Sequence, residues 1–189
     1  ENADQYKVQL RALLRAGAFG DVKIMIPLVT CVEEVRAVKA LVEECKAELE
    51  AEGLKYDENI EVGVMMETPA ASLIADKLAE EADFFSIGTN DLIGYTMCAD
   101  RGNDHISNLY QVYYPAVLRS IKNIIESGVK AGIMVGMCGE AAADPLLEPL
   151  LISFGLEEFS MSAPSILRAR KTISQWSKAE CDELAEKAL

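Results

Sequence analysis

Five side chains in this sequence could together do chemistry on a small anionic molecule: Glu67, Asn90, Asp91, Arg101 and Cys138. Glu67 and Asp91 each follow an apolar run. Two carboxylates from neighbouring strands suit a hard divalent ion, magnesium or manganese, that keeps some waters and takes oxygen atoms from a substrate. Arg101 is the one cation in the stretch Asp83 to Asp104, and its planar fork could hold a phosphate or carboxylate in bidentate fashion. Cys138 could, as an exposed thiol, attack a substrate or donate a proton to a carbanion, and Gly136 and Gly139 beside it would let backbone approach a ligand closely. Each residue also has a plainer reading. Glu67 could be a carboxylate favoured by the helix amino terminus that follows, Asp91 a helix cap, Cys138 a buried structural thiol, and Arg101 a partner of Asp100 or Asp104.

Periodicity supplies the elements that must position these groups. Gln5 to Ala18 has helical spacing. Lys23 to Leu28, Ile60 to Met66, Phe84 to Ile87, Ile133 to Met137 and Glu158 to Met161 are short apolar runs that read as buried strands. Between them the spacing predicts helices: Val32 to about Ala51, opened by a Thr30–Glu33 capping box, and Ala70 to Glu80, opened by Thr68 and Pro69. A third runs from Pro115 to Ala131 with Val117, Leu118, Ile121, Ile124 and Ile125 inward. Another is capped by Asp144 with Pro145 in its first turn and closed by Gly155. Helices from Pro164, and from a Ser177–Glu180 capping box to Leu189, complete the chain. After Gly88 the residues Thr89, Asn90 and Asp91 read as a polar loop at a strand end.

The order is a helix followed by five strand–helix units, without hairpin signals, which means a parallel sheet wrapped by helices. Five units are too few for a closed eight-unit barrel. Either the sheet is open and doubly wound, or the chain is most of a barrel cut from a longer protein, and the abrupt start and end favour the cut. A five-stranded piece exposes two edges and barrel-facing apolar side chains, so self-association is expected.

Composition narrows the partners. The 189 residues carry 31 acidic and 18 basic side chains, a net charge of −13, which excludes nucleic acid and an anionic membrane surface as partners. No apolar run approaches the roughly 18 residues needed to span a bilayer, and no signal-peptide core is present. The five cysteines form no metal-binding pattern and read as reduced thiols of a cytoplasmic protein. A single histidine, His105, excludes a site that needs two.

Several runs carry a resemblance. GVMMETPAA (Gly63 to Ala71), DFFSIGTNDL (Asp83 to Leu92), ADRGND (Ala99 to Asp104), LYQ (Leu109 to Gln111), GMCGE (Gly136 to Glu140) and EFSMSA (Glu158 to Ala163) together resemble enzyme I of the bacterial phosphoenolpyruvate-dependent sugar phosphotransferase system. The resemblance implies an α/β fold of the TIM-type (β/α)8 barrel class, with residues 1–189 as a partial phosphoenolpyruvate-binding domain cut at its amino-terminal side. It implies Mg2+ on Glu67 and Asp91, phosphoenolpyruvate against Asn90, Asp91 and Arg101, and Cys138 as proton donor. It further implies a homodimer whose amino-terminal domain carries a phosphohistidine and passes phosphate to the carrier protein HPr. The family's histidine motif and its arginines from the first three barrel strands are absent, and Gly94 and Ala143 stand where glutamine and glycine are usual. The isolated chain is therefore expected to lack activity. The rival resemblance is to the carboxyl-terminal barrel of pyruvate phosphate dikinase or phosphoenolpyruvate synthase, and a hypothesis of another class is a catalytically silent dimerisation module.

Overall fold

The five apolar runs pair as one parallel sheet in a computed structural model that describes residues 3–188. The elements are α1 (Ala3–Gly17), β1 (Ile24–Ile26), α2 (Val32–Ala51), β2 (Val62–Met66), α3 (Pro69–Leu73), α4 (Ala75–Ala79), β3 (Phe84–Gly88) and α5 (Thr89–Met97). They continue as α6 (Pro115–Ala131), β4 (Met134–Cys138), α7 (Glu148–Phe154), β5 (Glu158–Phe159), α8 (Ala163–Ile173) and α9 (Lys178–Ala188), with 3-10 turns at Asp104–Ile106 and Glu140–Ala143.

The strand order is β1-β2-β3-β4-β5, every neighbour parallel. A doubly wound sheet reverses its order at a switch point, whereas a barrel wall adds each strand beside the last. The sequential order is that of a barrel wall, and among the described residues it does not close.

The sheet's two faces differ in chemistry. Ile24, Val62, Val64, Met66, Phe85, Ile87, Val135 and Met137 are buried and belong to the hydrophobic core. Helix α6 covers this side with Val117, Leu118, Ile121, Ile124 and Ile125, all buried as the periodicity predicts. Burying each such aliphatic side chain contributes about 1.5–3 kcal/mol, so this stripe alone anchors the helix. The alternate residues share the other face: Met25 lies opposite Gly63, Met65 opposite Ser86, and Gly88 opposite Cys138. Met25 is 41% exposed there, an apolar side chain left open as the incomplete wall requires.

Several element boundaries differ from the periodic reading, each for a local reason. β1 stops at Ile26 because Pro27 lacks an N–H and Leu28 has φ 54, outside the extended region. The α2 capping carboxylate is Glu34, not Glu33, and it accepts from the backbone N–H of Thr30 and Cys31 at 2.7 and 3.2 Å. Helix Ala70 to Glu80 is broken at Ile74, because Asn123 of α6 donates to the Ser72 carbonyl at 2.6 Å and takes that acceptor from the helical ladder. β4 runs one residue later than expected and includes Cys138, while β5 ends at Phe159. Asp144 caps only a turn, through Leu146 N at 2.9 Å, and the helix itself starts at Glu148. The Ser177–Glu180 box is formed, with Ser177 Oγ donating to Glu180 at 2.7 Å. Leu189, the expected end of the last helix, lies outside the described residues.

Candidate active site at the carboxyl rim of the strands

Because all five strands are parallel, Glu67, Asn90, Asp91 and Cys138 meet on one rim. The polar stretch after β3 is not a loop. Thr89–Met97 is helix α5, so Asn90 and Asp91 lie in its first turn, where the uncapped N–H groups favour negative charge.

Glu67 continues the face of Met65 and folds over the end of β3. A Cβ at Gly88 would lie 2.7 Å from Glu67 Oε2, so only glycine admits this carboxylate. The other oxygen accepts from Leu28 N at 2.8 Å, and the residue is 5% exposed. Burial pushes the Glu67 carboxyl up, the Leu28 N–H pulls it back in part, and the neighbouring Asp91 carboxylate raises it again. A buried carboxylate beside another carboxylate is electrostatically unbalanced. The pair supplies two hard oxygen donors, the number that Mg2+ takes from protein when waters and substrate complete its shell, and so fits that ion. Among the described residues no cluster of three or more His, Cys, Asp or Glu forms a fuller protein cage.

Cys138 ends β4 directly opposite Gly88. Its Sγ lies 4.0 Å from Met65 Sδ and 3.6 Å from the Ile87 carbonyl. Burial pushes the thiol up, the Ser86 side chain opposes this, and the Glu67 charge adds to the rise. The group thus stays protonated at neutral pH, a state suited to giving a proton rather than to attacking.

The flanking glycines serve a different purpose from the one expected. A Cβ at Gly136 would lie 2.9 Å from Glu158 Oε2, and one at Gly139, where φ is +98, would lie 2.3 Å from Thr89 Oγ1. They make room for protein side chains, not for a ligand. Thr89 uses that room to donate to the Cys138 carbonyl at 2.9 Å, which ties the start of α5 to the end of β4.

Arg101 pairs with neither Asp100 nor Asp104. Its Nη2 lies 3.2 Å from Glu140 Oε1, with both side chains largely exposed. Asp100 instead accepts from Gly102 N at 2.9 Å. The Glu140 carboxyl is pulled down by its own backbone N–H, by the Asn90 side chain and by Arg101.

The family model described as PEP-utilising enzyme, PEP-binding domain, matches residues 1–178. The chain belongs to this family of PEP-binding domains. Curated phosphoenolpyruvate-protein phosphotransferases are similar along nearly all of this chain. That of Priestia megaterium is 53% identical over 96% of this chain, and that of Bacillus subtilis 51% identical over 100%. The chain spans about a third of each of these relatives, 32% and 33%. Among solved structures, a citrate lyase from Burkholderia xenovorans superposes with a TM-score of 0.61 at 17% identity, covering 88% of this chain and 53% of that one, a likeness of fold.

Three contributors to the site carry no sequence signal as site residues. Leu28, whose backbone holds Glu67, acts through an N–H that any residue but proline has. Thr89 reads as part of a polar loop but binds across to β4. Tyr110 lies beyond α5 in sequence, yet its hydroxyl donates to the Asn90 carbonyl at 2.8 Å. Among the described residues no helix is long and apolar enough to cross a membrane.

Proposed function

We propose that this chain is the carboxyl-terminal part of the phosphoenolpyruvate-binding domain of a phosphoenolpyruvate-protein phosphotransferase, enzyme I of a sugar phosphotransferase system. Its parent moves the phosphoryl group from phosphoenolpyruvate to a histidine of an amino-terminal domain and on to the carrier HPr, in the cytoplasm and as a homodimer. The observation that carries the reading is the convergence of Glu67 and Cys138 on Gly88, with Asp91 beside Glu67. Identity of 50% or more to phosphotransferases supports this reading over a dikinase or synthase.

Glu67 and Asp91 would hold Mg2+, which when bound neutralises charge on the transferring phosphoryl group. Asn90 and Arg101 bind and orient the anionic ends of the substrate through an amide and a guanidinium. As the histidine nitrogen forms its bond to phosphorus, the bond from phosphorus to the enol oxygen breaks and leaves the enolate of pyruvate. Cys138 gives its Sγ proton to the methylene carbon, which yields pyruvate and a thiolate that regains a proton from water. Because the chain spans a third of its relatives and Arg101 is the one family arginine at the rim, it binds phosphoenolpyruvate weakly and transfers no phosphate alone.

Calorimetric titration with phosphoenolpyruvate and Mg2+, on this chain and on one extended by the preceding barrel units, tests the reading. Tight binding only in the extended chain is the expected result. Absence of binding in both would sink the assignment, and phosphate transfer to any residue of the short chain would sink its inactivity.

A further inference from the structure

Glu140 lies outside the set of residues just assigned, yet it pairs with Arg101 and lines a cleft with Asn90. It opens the 3-10 turn after β4, Arg101 follows α5, and Asn90 stands in the first turn of α5, so three separate segments meet at one cleft. Resting on the functional reading above, we propose that Glu140 is a positioning residue that stands in for the substrate's anionic group. It holds the Arg101 guanidinium beside Asn90 until a phosphate or carboxylate takes its place at Arg101.

Four observations support this. The Arg101–Glu140 pair is 61% and 74% exposed, and an ion pair in that much water contributes little to stability, so the fold does not depend on it. A guanidinium has five donors in a planar fork, whereas the bond to Glu140 runs from Nη2 alone, and a bidentate phosphate would engage two. A dianion therefore outcompetes a single carboxylate contact.

Arg101 also stands between two clefts. One, of about 420 Å³, is lined by Asn90, Asp91, Cys98 and Arg101; the other, of about 310 Å³, by Asn90, Arg101, Tyr110, Glu140 and Asp144. The guanidinium can turn from the Glu140 side to the Asp91 side while both clefts keep Asn90 as their common wall. Lastly, the Tyr110 hydroxyl fixes the Asn90 carbonyl at 2.8 Å, so exchange at this point moves side chains and leaves the backbone in place.

The cost of such a placeholder is competition. With Glu140 removed as a charge, an anionic ligand meets a free Arg101 and one less negative neighbour. The test combines nitrogen-resolved NMR of arginine side chains with phosphoenolpyruvate titration in magnesium buffer, on the wild-type chain, Glu140→Gln, Arg101→Met and the double variant. Without ligand, Glu140→Gln is expected to shift the Arg101 side-chain resonance. On titration it should tighten phosphoenolpyruvate binding by about two- to fivefold, and make no difference in the Arg101→Met background. An unmoved Arg101 resonance overturns the proposal, as does equal or weaker binding by Glu140→Gln, or the same gain without Arg101. If neither form binds phosphoenolpyruvate, inorganic phosphate separates the two ideas. A shift of Arg101 at lower phosphate in Glu140→Gln upholds the placeholder while removing the choice of substrate, and no shift in either form removes both.

Discussion

The backbone N–H of Leu28 donates to Glu67 Oε1 at 2.8 Å, so the end of β1 holds a carboxylate that belongs to the end of β2. This bond leaves Oε2 turned toward Gly88. The arrangement orients a buried charge but does not neutralise it, and that imbalance has consequences that can be measured.

Glu67→Gln keeps an acceptor for Leu28 and removes the buried charge beside Asp91. It is expected to raise the urea midpoint of the metal-free chain, by about 1–2 kcal/mol in unfolding free energy. In the wild type, Mg2+ should raise the thermal midpoint by mass action, and Glu67→Gln or Asp91→Asn should abolish that rise. Equal magnesium responses in all three proteins would remove Glu67 and Asp91 as ligands.

Thiol reactivity should separate the cysteines by burial. Cys98 is exposed, whereas Cys138 is half-buried with its thiol pushed up by burial. Iodoacetamide at neutral pH is expected to label Cys98 first, with Cys138 following only as pH rises past the ordinary thiol range. Peptide mass spectrometry over time reads the order, and early labelling of Cys138 would contradict the protonated-donor role proposed for it.

Gly139 and Gly132 both have positive φ, +98 and +75, but their surroundings differ. A Cβ at Gly139 meets Thr89 Oγ1 at 2.3 Å, and one at Gly132 meets nothing among the described residues within 4 Å. Gly132→Ala should therefore cost about 1 kcal/mol, the conformational penalty alone. Gly139→Ala should cost about 2–4 kcal/mol, because the Thr89 bond to Cys138 must also give way. Chemical denaturation of both variants provides the comparison.

Glu148 is fully buried in α7, and among the described residues neither of its carboxylate oxygens has a hydrogen-bond partner. Thr172 is near enough to favour the charge, yet its hydroxyl donates to the Arg168 carbonyl at 3.2 Å. Burial pushes the Glu148 carboxyl up. Between its ordinary and raised values the folded chain binds more protons than the unfolded chain. The stability this group contributes is thus whole below the ordinary carboxylate range and is lost as pH rises through the folded value. Urea midpoints from pH 4 to 8 should fall less steeply for Glu148→Leu than for the wild type. Parallel curves would show that Glu148 finds a partner in solution.

Much of the architecture was legible in the chain because it rests on local chemistry. Alternating strand and helix periods located all five strands, since a strand buried on both faces must be a short apolar run whatever surrounds it. Pro115 to Ala131 matched the observed helix at both ends, because proline suits a first turn and Gly132 the left-handed stop. Glu67, Asn90, Asp91 and Cys138 could be assigned to one rim as soon as the strands were taken as parallel.

Tertiary packing decided what local chemistry leaves open. Ile74 breaks a helix because Asn123, 49 positions away, reaches the Ser72 carbonyl at 2.6 Å, and no spacing within the helix signals that. Arg101 has acidic residues next to it in sequence and at Asp104, yet it pairs with Glu140, because a side chain answers to distance in space and β3 and β4 are neighbours in the sheet. Gly136 and Gly139 were recognisable as places of close approach, but only the packed structure shows that Glu158 and Thr89 fill them.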